Sequence, residues 1–513
     1  MTFFITTAID YTNGAPHIGH AYEKVLTDAI ARYQRLKGRE VYFLTGVDQH
    51  GQKVQQSAQR QGVAPKEFVD GLTDQFLRLW QALDISYDGW AATTEPVHIR
   101  CVQSMLQLLW EKGAFYKAKQ SGHYSVRQEQ FLTDKERGED GAFGPEWGEV
   151  ILIEEENYFF KLAEHRQWLL DLIDSRTAAG RPLVVPDFRV AELRNAVEKL
   201  SGDLCISRPK SRLSWGIELP FDRDFVTYVW FDALSNYISF AGYDPTPGAD
   251  QERFRALWPA IHVIGKDILV PPHGIYWPIM LRACGFPDEE IPTLLVHGWW
   301  NIGGAKMSKS LGNSVDPAVL TETFGVAATR FYLLSDIATG RDADFSEERL
   351  IQRYNTDLAN SLGNLLNRSL SMAKRYRGSA LRRTTSSPLA GFVAERVADY
   401  SRHMDAFATQ SAIESAWEIV TRCNAHVEET APWKLAKDPA AAGALDDVLY
   451  SLAEALRILS ILISPFLPAS AAAIRSQLAW SGPLLLSQCA WGGLPDGHAL
   501  GDPVPVFPRI ETP

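Results

Sequence analysis

The chain has 513 residues, 46% of them hydrophobic and 22% charged, with a net charge of −11. Such a length exceeds one hydrophobic core and points to about three domains of ordinary soluble composition, and no window approaches the roughly 18 uninterrupted apolar residues that a membrane-spanning helix needs. The acidic total argues only weakly against a nucleic-acid partner, because binding depends on a local basic face.

The first segment reads strand (FFITTAI), glycine-containing turn (DYTNGAP), helix (HAYEKVLTDAIARYQRLKG) and strand (REVYFLTGVD), a βαβ unit of the kind that opens a doubly wound nucleotide-binding domain. Its start has no basic segment and no small-residue cleavage site, so a cytoplasmic protein is expected. Cys101, Cys205, Cys284, Cys423 and Cys489 are scattered without a CxxC pair, which fits a reducing compartment. The stretch PHIGH sets His17 and His20 three positions apart around Gly19. Three readings are open: a metal pair lacking its third ligand, a helix start with satisfied imidazoles, or an anion grip at a helix N-terminus.

From about 115 to 165 the pattern breaks into short β-like runs around GEDGAFGP, an inserted β-rich lobe. Strand-like and helix-like runs resume at TYVWFDALSNYISF, IHVIGKDIL and TLLVHGWW. The loop NIGGAKMSKSLGNSV follows, with Lys306 and Lys309 between Gly303, Gly304 and Gly312. Alone it is solvated surface; after a phosphate site it reads as a mobile clamp for polyphosphate. From about 346 apolar residues recur at helical spacing, a separate bundle, and the tail GDPVPVFPRIETP reads as extended. The expected fold is α/β: a split Rossmann-like parallel-sheet domain over 1–115 and 166–345, a lobe over 116–165, and an all-α bundle over 346–513.

PHIGH and KMSKS in this order resemble the signature pair of the class I aminoacyl-tRNA synthetases. Together with TTAIDYTNGAPHIGHAYE, FLTGVDQHGQK, TYVWFDALSNYI, VIGKDIL, GWWNIGGAKMSKSLGN and APWKLAK, the chain resembles the methionyl-tRNA synthetases from residue 3 to 510. The resemblance implies a methionine–tRNA ligase with His17, His20, Lys306 and Lys309 as catalytic residues. Gly19, Arg208, Met307, Ser308 and Ser310 join them in binding ATP with Mg²⁺. It implies a methionine site of Ile9, Tyr11, Asp48, Trp230, Ala233, Tyr237, Asp267 and His273. The residue types agree, since an apolar pocket with aromatic edges suits a polarizable thioether. Asp48 would hold the α-ammonium, and Asp48 or Asp267 could equally be a structural hydrogen-bond acceptor.

Two departures stand out. Ser125, Gln128, Gly144 and Trp147 occupy the four positions where many relatives carry zinc ligands, so no structural zinc is expected, and the lobe would be held by Phe131, Phe143, Trp147 and Phe159. In KDILVPPHGIYWP prolines stand where relatives have Phe-His, and His273 comes one residue later.

In the bundle the resemblance assigns Asn364, Arg368 and Trp433 to the anticodon of tRNA(Met), initiator and elongator, types that suit splayed bases. Lys374, Arg375, Arg377, Arg382 and Arg383 form a basic run able to meet phosphates. A monomer is expected, since the chain stops at Pro513 without the further domain some relatives append. Rival readings are a synthetase for a branched amino acid, which would need a larger editing insertion, a small-molecule nucleotidyltransferase, and a non-catalytic tRNA-binding paralogue.

Overall fold

The computed structural model describes residues 2–125, 130–132, 134–138, 140–306, 315–384 and 387–511, with backbone alone at 120, 130, 131, 135, 305 and 306. Gln128, Met307, Ser308, Lys309, Ser310 and Gly312 lie outside the described residues, as do the side chains of Phe131 and Lys306.

The opening βαβ unit forms as β1 (Phe3–Thr7), α1 (Ile18–Leu36) and β2 (Val41–Asp48). Further strands β3 (Gly89–Ala92), β4 (Val184–Val185), β5 (Ile261–Gly265) and β6 (Thr293–His297) complete the sheet. β2 lies between β1 and β3, and on the far side of β1 follow β5, β6 and β4. Every pairing is parallel. All five residues of FFITT are buried, as expected of a strand covered on both faces. Phe3 and Ile5 join the core containing α1, whereas Phe4 joins the core under the insertion, the two-residue alternation of a strand. The α1-side core runs without a break into the helical bundle.

Chain order reverses between β1 and β5, which makes the carboxyl ends of those strands the switch point where open α/β sheets bind ligands. Asp10 and Tyr11 prolong β1 along β2, pairing with Val47 and Asp48. Beyond β6, Trp300–Ile302 pairs antiparallel with Ala305–Lys306 and parallel with Ala343–Asp344. Asp344 Oδ1 accepts from Gly304 N at 2.8 Å and anchors this hairpin.

In the lobe, Phe115–Ser125 pairs antiparallel with Val150–Phe160 and with Gln130–Leu132, and Leu204–Cys205 adds a strand from outside the inserted segment. The residues at the former ligand positions do not fit zinc: a hydroxyl, a hydrogen and an indole offer no thiolate or imidazole. Ser125 Oγ instead donates to the Trp147 carbonyl at 2.5 Å. Phe143 packs on His123 and under Arg137, and Phe159 stacks on Tyr116. Buried Tyr124 lies 4.5 Å from the Arg212 guanidinium, and its hydroxyl donates to Gln52 Oε1 at 3.3 Å, tying lobe to sheet domain. Among the described residues no group of three His, Cys, Asp or Glu side chains is placed to hold a metal ion.

The bundle comprises Asn364–Arg377, Ala390–Asp405, Thr409–Thr430, Ala442–Leu462 and Pro468–Gln477. Its tail returns without regular structure and is pinned where Asn355 and Ile510 exchange two hydrogen bonds of 2.8 and 2.9 Å. No helix among the described residues is long and apolar enough to cross a membrane.

Candidate active site

His17 is not on the helix but caps it. Its backbone is extended, its Nδ1 accepts from Gly19 N–H at 3.1 Å, and its own N–H donates to His20 Nδ1 at 3.1 Å, a reciprocal capping box. With both Nδ1 atoms accepting from backbone, each ring carries its proton on Nε2. The rings stack with centroids 3.8 Å apart. Gly19 makes this possible, because a Cβ there would fall 2.9 Å from His17 Cε1. No acidic residue occupies the first turn of α1, so the positive end of its dipole and two Nε2–H donors coincide. Ile18 N–H donates to the carbonyl of Val315 at 3.2 Å, so the segment that follows the KMSKS loop returns to this helix start.

Beside it, at the β1/β5 switch point, lies a cavity of about 250 Å³. Ile9, Tyr11, Asp48, Trp230, Ala233, Tyr237 and His273 all line it. Residues that sequence reasoning missed complete the wall, among them Ala8, Lys53, Tyr228, Asn236 and Ile268. His273 arrives on a wide-pitched turn, Leu269–Tyr276, a local widening that accommodates an extra residue. Its Nδ1–H donates to the Ile268 carbonyl at 2.9 Å, leaving Nε2 to accept the Tyr237 hydroxyl at 2.8 Å. Behind Tyr237, His262 stacks at 3.9 Å, accepts the Trp277 indole N–H at 3.1 Å and meets Thr6 Oγ1 at 2.8 Å.

Burial pushes His273 down to about 4 and His262 well below the usual histidine range. Both rings are therefore neutral in the folded protein at neutral pH. Between about pH 6.5 and 4 the unfolded chain takes up protons that the folded cavity refuses, so stability falls as pH falls across that window. A melting series from pH 7 to 4.5 is expected to decline, and His273→Gln to decline less; equal slopes would remove His273 from the account.

Two predicted site residues are not part of this wall. Arg208 is buried with its guanidinium 4.7 Å from the Tyr228 ring, donating to the Ser207 carbonyl at 2.7 Å and to Cys205 Sγ at 3.2 Å. It therefore backs a lining residue rather than lining the cavity. Asp267 accepts from the Trp299 indole at 3.2 Å, outside the cavity wall. A further group unforeseen in sequence is Asp232, whose carboxylate meets His50 Nδ1 and His98 Nε2, each at 2.7 Å. Burial would raise Asp232, but the two imidazoles outweigh it and hold the carboxyl down at about 2. Asp232 thus braces the helix carrying Trp230 and Ala233 against His50, two residues past Asp48 at the end of β2.

On the bundle, Arg368 lies 5.9 Å from the Trp433 ring and donates to Glu428 at 2.8 Å. Asn364 is exposed one turn away on the same helix, beside Asn360 and Asn367. The basic run is partly spent within the protein: Lys374 pairs with Asp502, and Arg377 and Arg382 with Asp446.

Residues 3–140 and 148–370 match the family model of class I tRNA synthetases (M), and 381–512 match the anticodon-binding domain of methionyl tRNA ligase. The chain is 42% identical to the methionine–tRNA ligase of Deinococcus radiodurans, covering 99% of this chain and 74% of that one. It is 40% identical to that of Caldanaerobacter subterraneus subsp. tengcongensis, covering 100% and 79%. Its fold superposes with a TM-score of 0.90 on Mycobacterium tuberculosis methionyl-tRNA synthetase in complex with methionyl-adenylate, at 36% identity over 99% of this chain and 100% of that one.

Proposed function

The chain belongs to the class I methionyl-tRNA synthetases, and from that premise we propose how its residues divide the two steps of methionine–tRNA ligation. ATP lies over the N-terminus of α1, and methionine enters the adjoining cavity with its thioether against Trp230, Ala233, Tyr237 and His273. Asp48 takes the α-ammonium. The methionine carboxylate attacks the α-phosphorus, pyrophosphate leaves, and methionyl-adenylate then passes its acyl group to the terminal adenosine of tRNA(Met), initiator or elongator. No side chain has to accept a proton in the first step, because the attacking carboxylate is already ionised. Catalysis is positioning plus neutralisation of charge on phosphate oxygens. His17 and His20 supply Nε2–H donors, and Lys306 and Lys309 supply ammonium groups; Mg²⁺ accompanies ATP as part of the substrate.

The observation that carries this reading is the junction itself. Tyr11 lines the cavity, and its neighbour Asp10 lies 3.9 Å from His20 Nε2, so an acid seated in one reaches a phosphate held by the other. Neutral His273 accepting from Tyr237 presents no charge to the side chain, which favours a thioether over a polar isostere. The test is ATP–pyrophosphate exchange with methionine, leucine, valine, isoleucine and cysteine in parallel. Exchange with methionine alone is expected; exchange with none would sink the reading.

Arg368, Trp433 and Asn364 would read anticodon bases by stacking and edge contacts. Since stacking is worth about 1–3 kcal/mol per base, Trp433→Ala is expected to lower aminoacylation kcat/KM by roughly ten- to hundredfold. Exchange without tRNA should stay unchanged. An equal loss in both assays would mean a folding defect instead.

A further inference from the structure

Directly beneath the histidines, α1 turns a lysine into the protein. The Lys24 side chain is 0% exposed, and its ammonium spends all three donors on the Ala8 carbonyl at 3.1 Å, Asp10 Oδ1 at 2.6 Å and Glu23 Oε1 at 3.0 Å. Glu23 in turn meets His297 Nε2, at the end of β6, at 3.1 Å. One ammonium thus joins the strand extension beside the cavity, the helix that carries the histidines, and the strand that leads to the KMSKS hairpin. Asp10, itself buried, is the flank of this arrangement that faces the histidines: its Oδ1 stands 3.9 Å from His20 Nε2, and its Oδ2 has no hydrogen-bond partner among the described residues.

Resting on the reading of the site above, we propose that Lys24 and Asp10 are a buried positioning pair for methionine activation. Lys24 holds the Ala8–Asp10 segment, and with it Ile9 in the cavity wall, in fixed register with α1. It also keeps the Asp10 carboxylate turned toward its own ammonium, so that the Nε2–H of His20 is offered to a phosphate and not captured by Asp10. The electrostatics agree. Burial pushes Asp10 up to about 7, Lys24 opposes the rise and Glu23 adds to it. Lys24 itself stays charged, since its two carboxylates outweigh burial. Without the lysine, two buried carboxylic groups would lie beneath the place assigned to ATP phosphates, Glu23 held by His297 alone and Asp10 without the ammonium that orients and neutralises it.

The two roles separate kinetically. Lys24→Met is expected to lower kcat of methionine-dependent exchange about ten- to hundredfold and to raise KM for methionine severalfold, in line with the cost of small misplacements of reacting groups. In Lys24→Met combined with Asp10→Asn, kcat should recover by at least threefold over the single variant, because the competing carboxylate is gone. KM for methionine should stay high, because the Ala8 carbonyl still lacks its anchor. A folded Lys24→Met with wild-type kinetics overturns the proposal. So does a double variant in which kcat and KM move only in step with melting temperature, the mark of a purely structural lysine. If the single variant does not fold, the double variant decides alone: wild-type KM for methionine in it is equally fatal. Wild-type exchange is measured first, so that absence of methionine-dependent activity counts against the reading of the site and not against the pair.

Discussion

His20→Ala is expected to lower kcat for methionine-dependent ATP–pyrophosphate exchange by about 10²–10³-fold, the usual cost of deleting one preorganised donor from a site of developing charge. The expectation rests on the tautomer. His20 Nδ1 is committed to the His17 N–H at 3.1 Å, so its only proton projects from Nε2 at the mouth of the helix. Alanine removes that donor and the His20 half of the capping box, while the His17 side chain still caps Gly19 N–H. KM for methionine should change little, since His20 is absent from the cavity wall. The matched substitution at His17 is a less clean probe: it removes a donor and an N-cap together, the latter worth about 1 kcal/mol of helix stability. His20→Gln, which keeps an amide donor at similar reach, should fall between wild type and alanine. If His20→Ala exchanges within a few-fold of wild type, phosphate neutralisation is carried elsewhere and the donor pair is only a helix cap.

Local rules made the opening of the chain legible. FFITT, aromatic and β-branched throughout and followed by a glycine turn, reads as a strand of the opening βαβ unit, and a helix entered through PHIGH exposes backbone donors whatever else it does. What local rules missed depends on contacts far apart in the chain. Glu23 and Lys24 read as two charges on an ordinary helix, yet α1 is enclosed on nearly every side, and the partners that make burial tolerable, Asp10 and His297, lie on the sheet. The resemblance assigns Arg208 to the nucleotide, and what it leaves out is how the side chain is held. The ring of Tyr124, from the inserted lobe, lies 5.7 Å from its guanidinium, and Tyr228 lies closer still, so it stays inside the protein. Cavity residues came from four distant segments, around Ile9, Asp48, Trp230 and His273, which no periodicity links; only the family resemblance brought them together in advance. In the lobe the sequence showed which residues stand where many relatives carry zinc ligands, but not what they do there: a serine bonding to the backbone of the tryptophan at another of those positions leaves no mark in sequence.

The largest loss of stability is expected from Arg330→Met. Arg330 sits on the helix Val326–Ser335 with its side chain 1% exposed, and its guanidinium reaches three parts of the protein. Nη2 bonds Asp28 Oδ2 on α1 at 2.7 Å and the Pro465 carbonyl at 3.0 Å, Nε bonds the Phe466 carbonyl at 2.8 Å, and Nη1 bonds the Leu83 carbonyl at 2.9 Å. Burial alone would raise Asp28, but Arg330, Arg32 and the bonds from Ser86 overcome it and hold the carboxyl below its usual range. Methionine fills similar volume yet leaves Asp28 short of a partner and strands three carbonyls, so about 3–5 kcal/mol should be lost. Lysine should rescue little, because one ammonium cannot span the fork of acceptors. The manner of failure is as informative as its size. Pro465 and Phe466 belong to the turn after the bundle helix Ala442–Leu462, while Asp28 lies two turns beyond His20 on α1, so this side chain is a rivet between the half that would read tRNA and the half that would activate methionine. Calorimetry of the variant should resolve two transitions where the wild type shows one. Below the first of them, exchange should persist while aminoacylation falls, because chemistry needs only the sheet domain, whereas charging needs both halves held in one relation. A single transition shifted by less than about 1 kcal/mol would show that the continuous apolar core, and not the arginine, joins the halves.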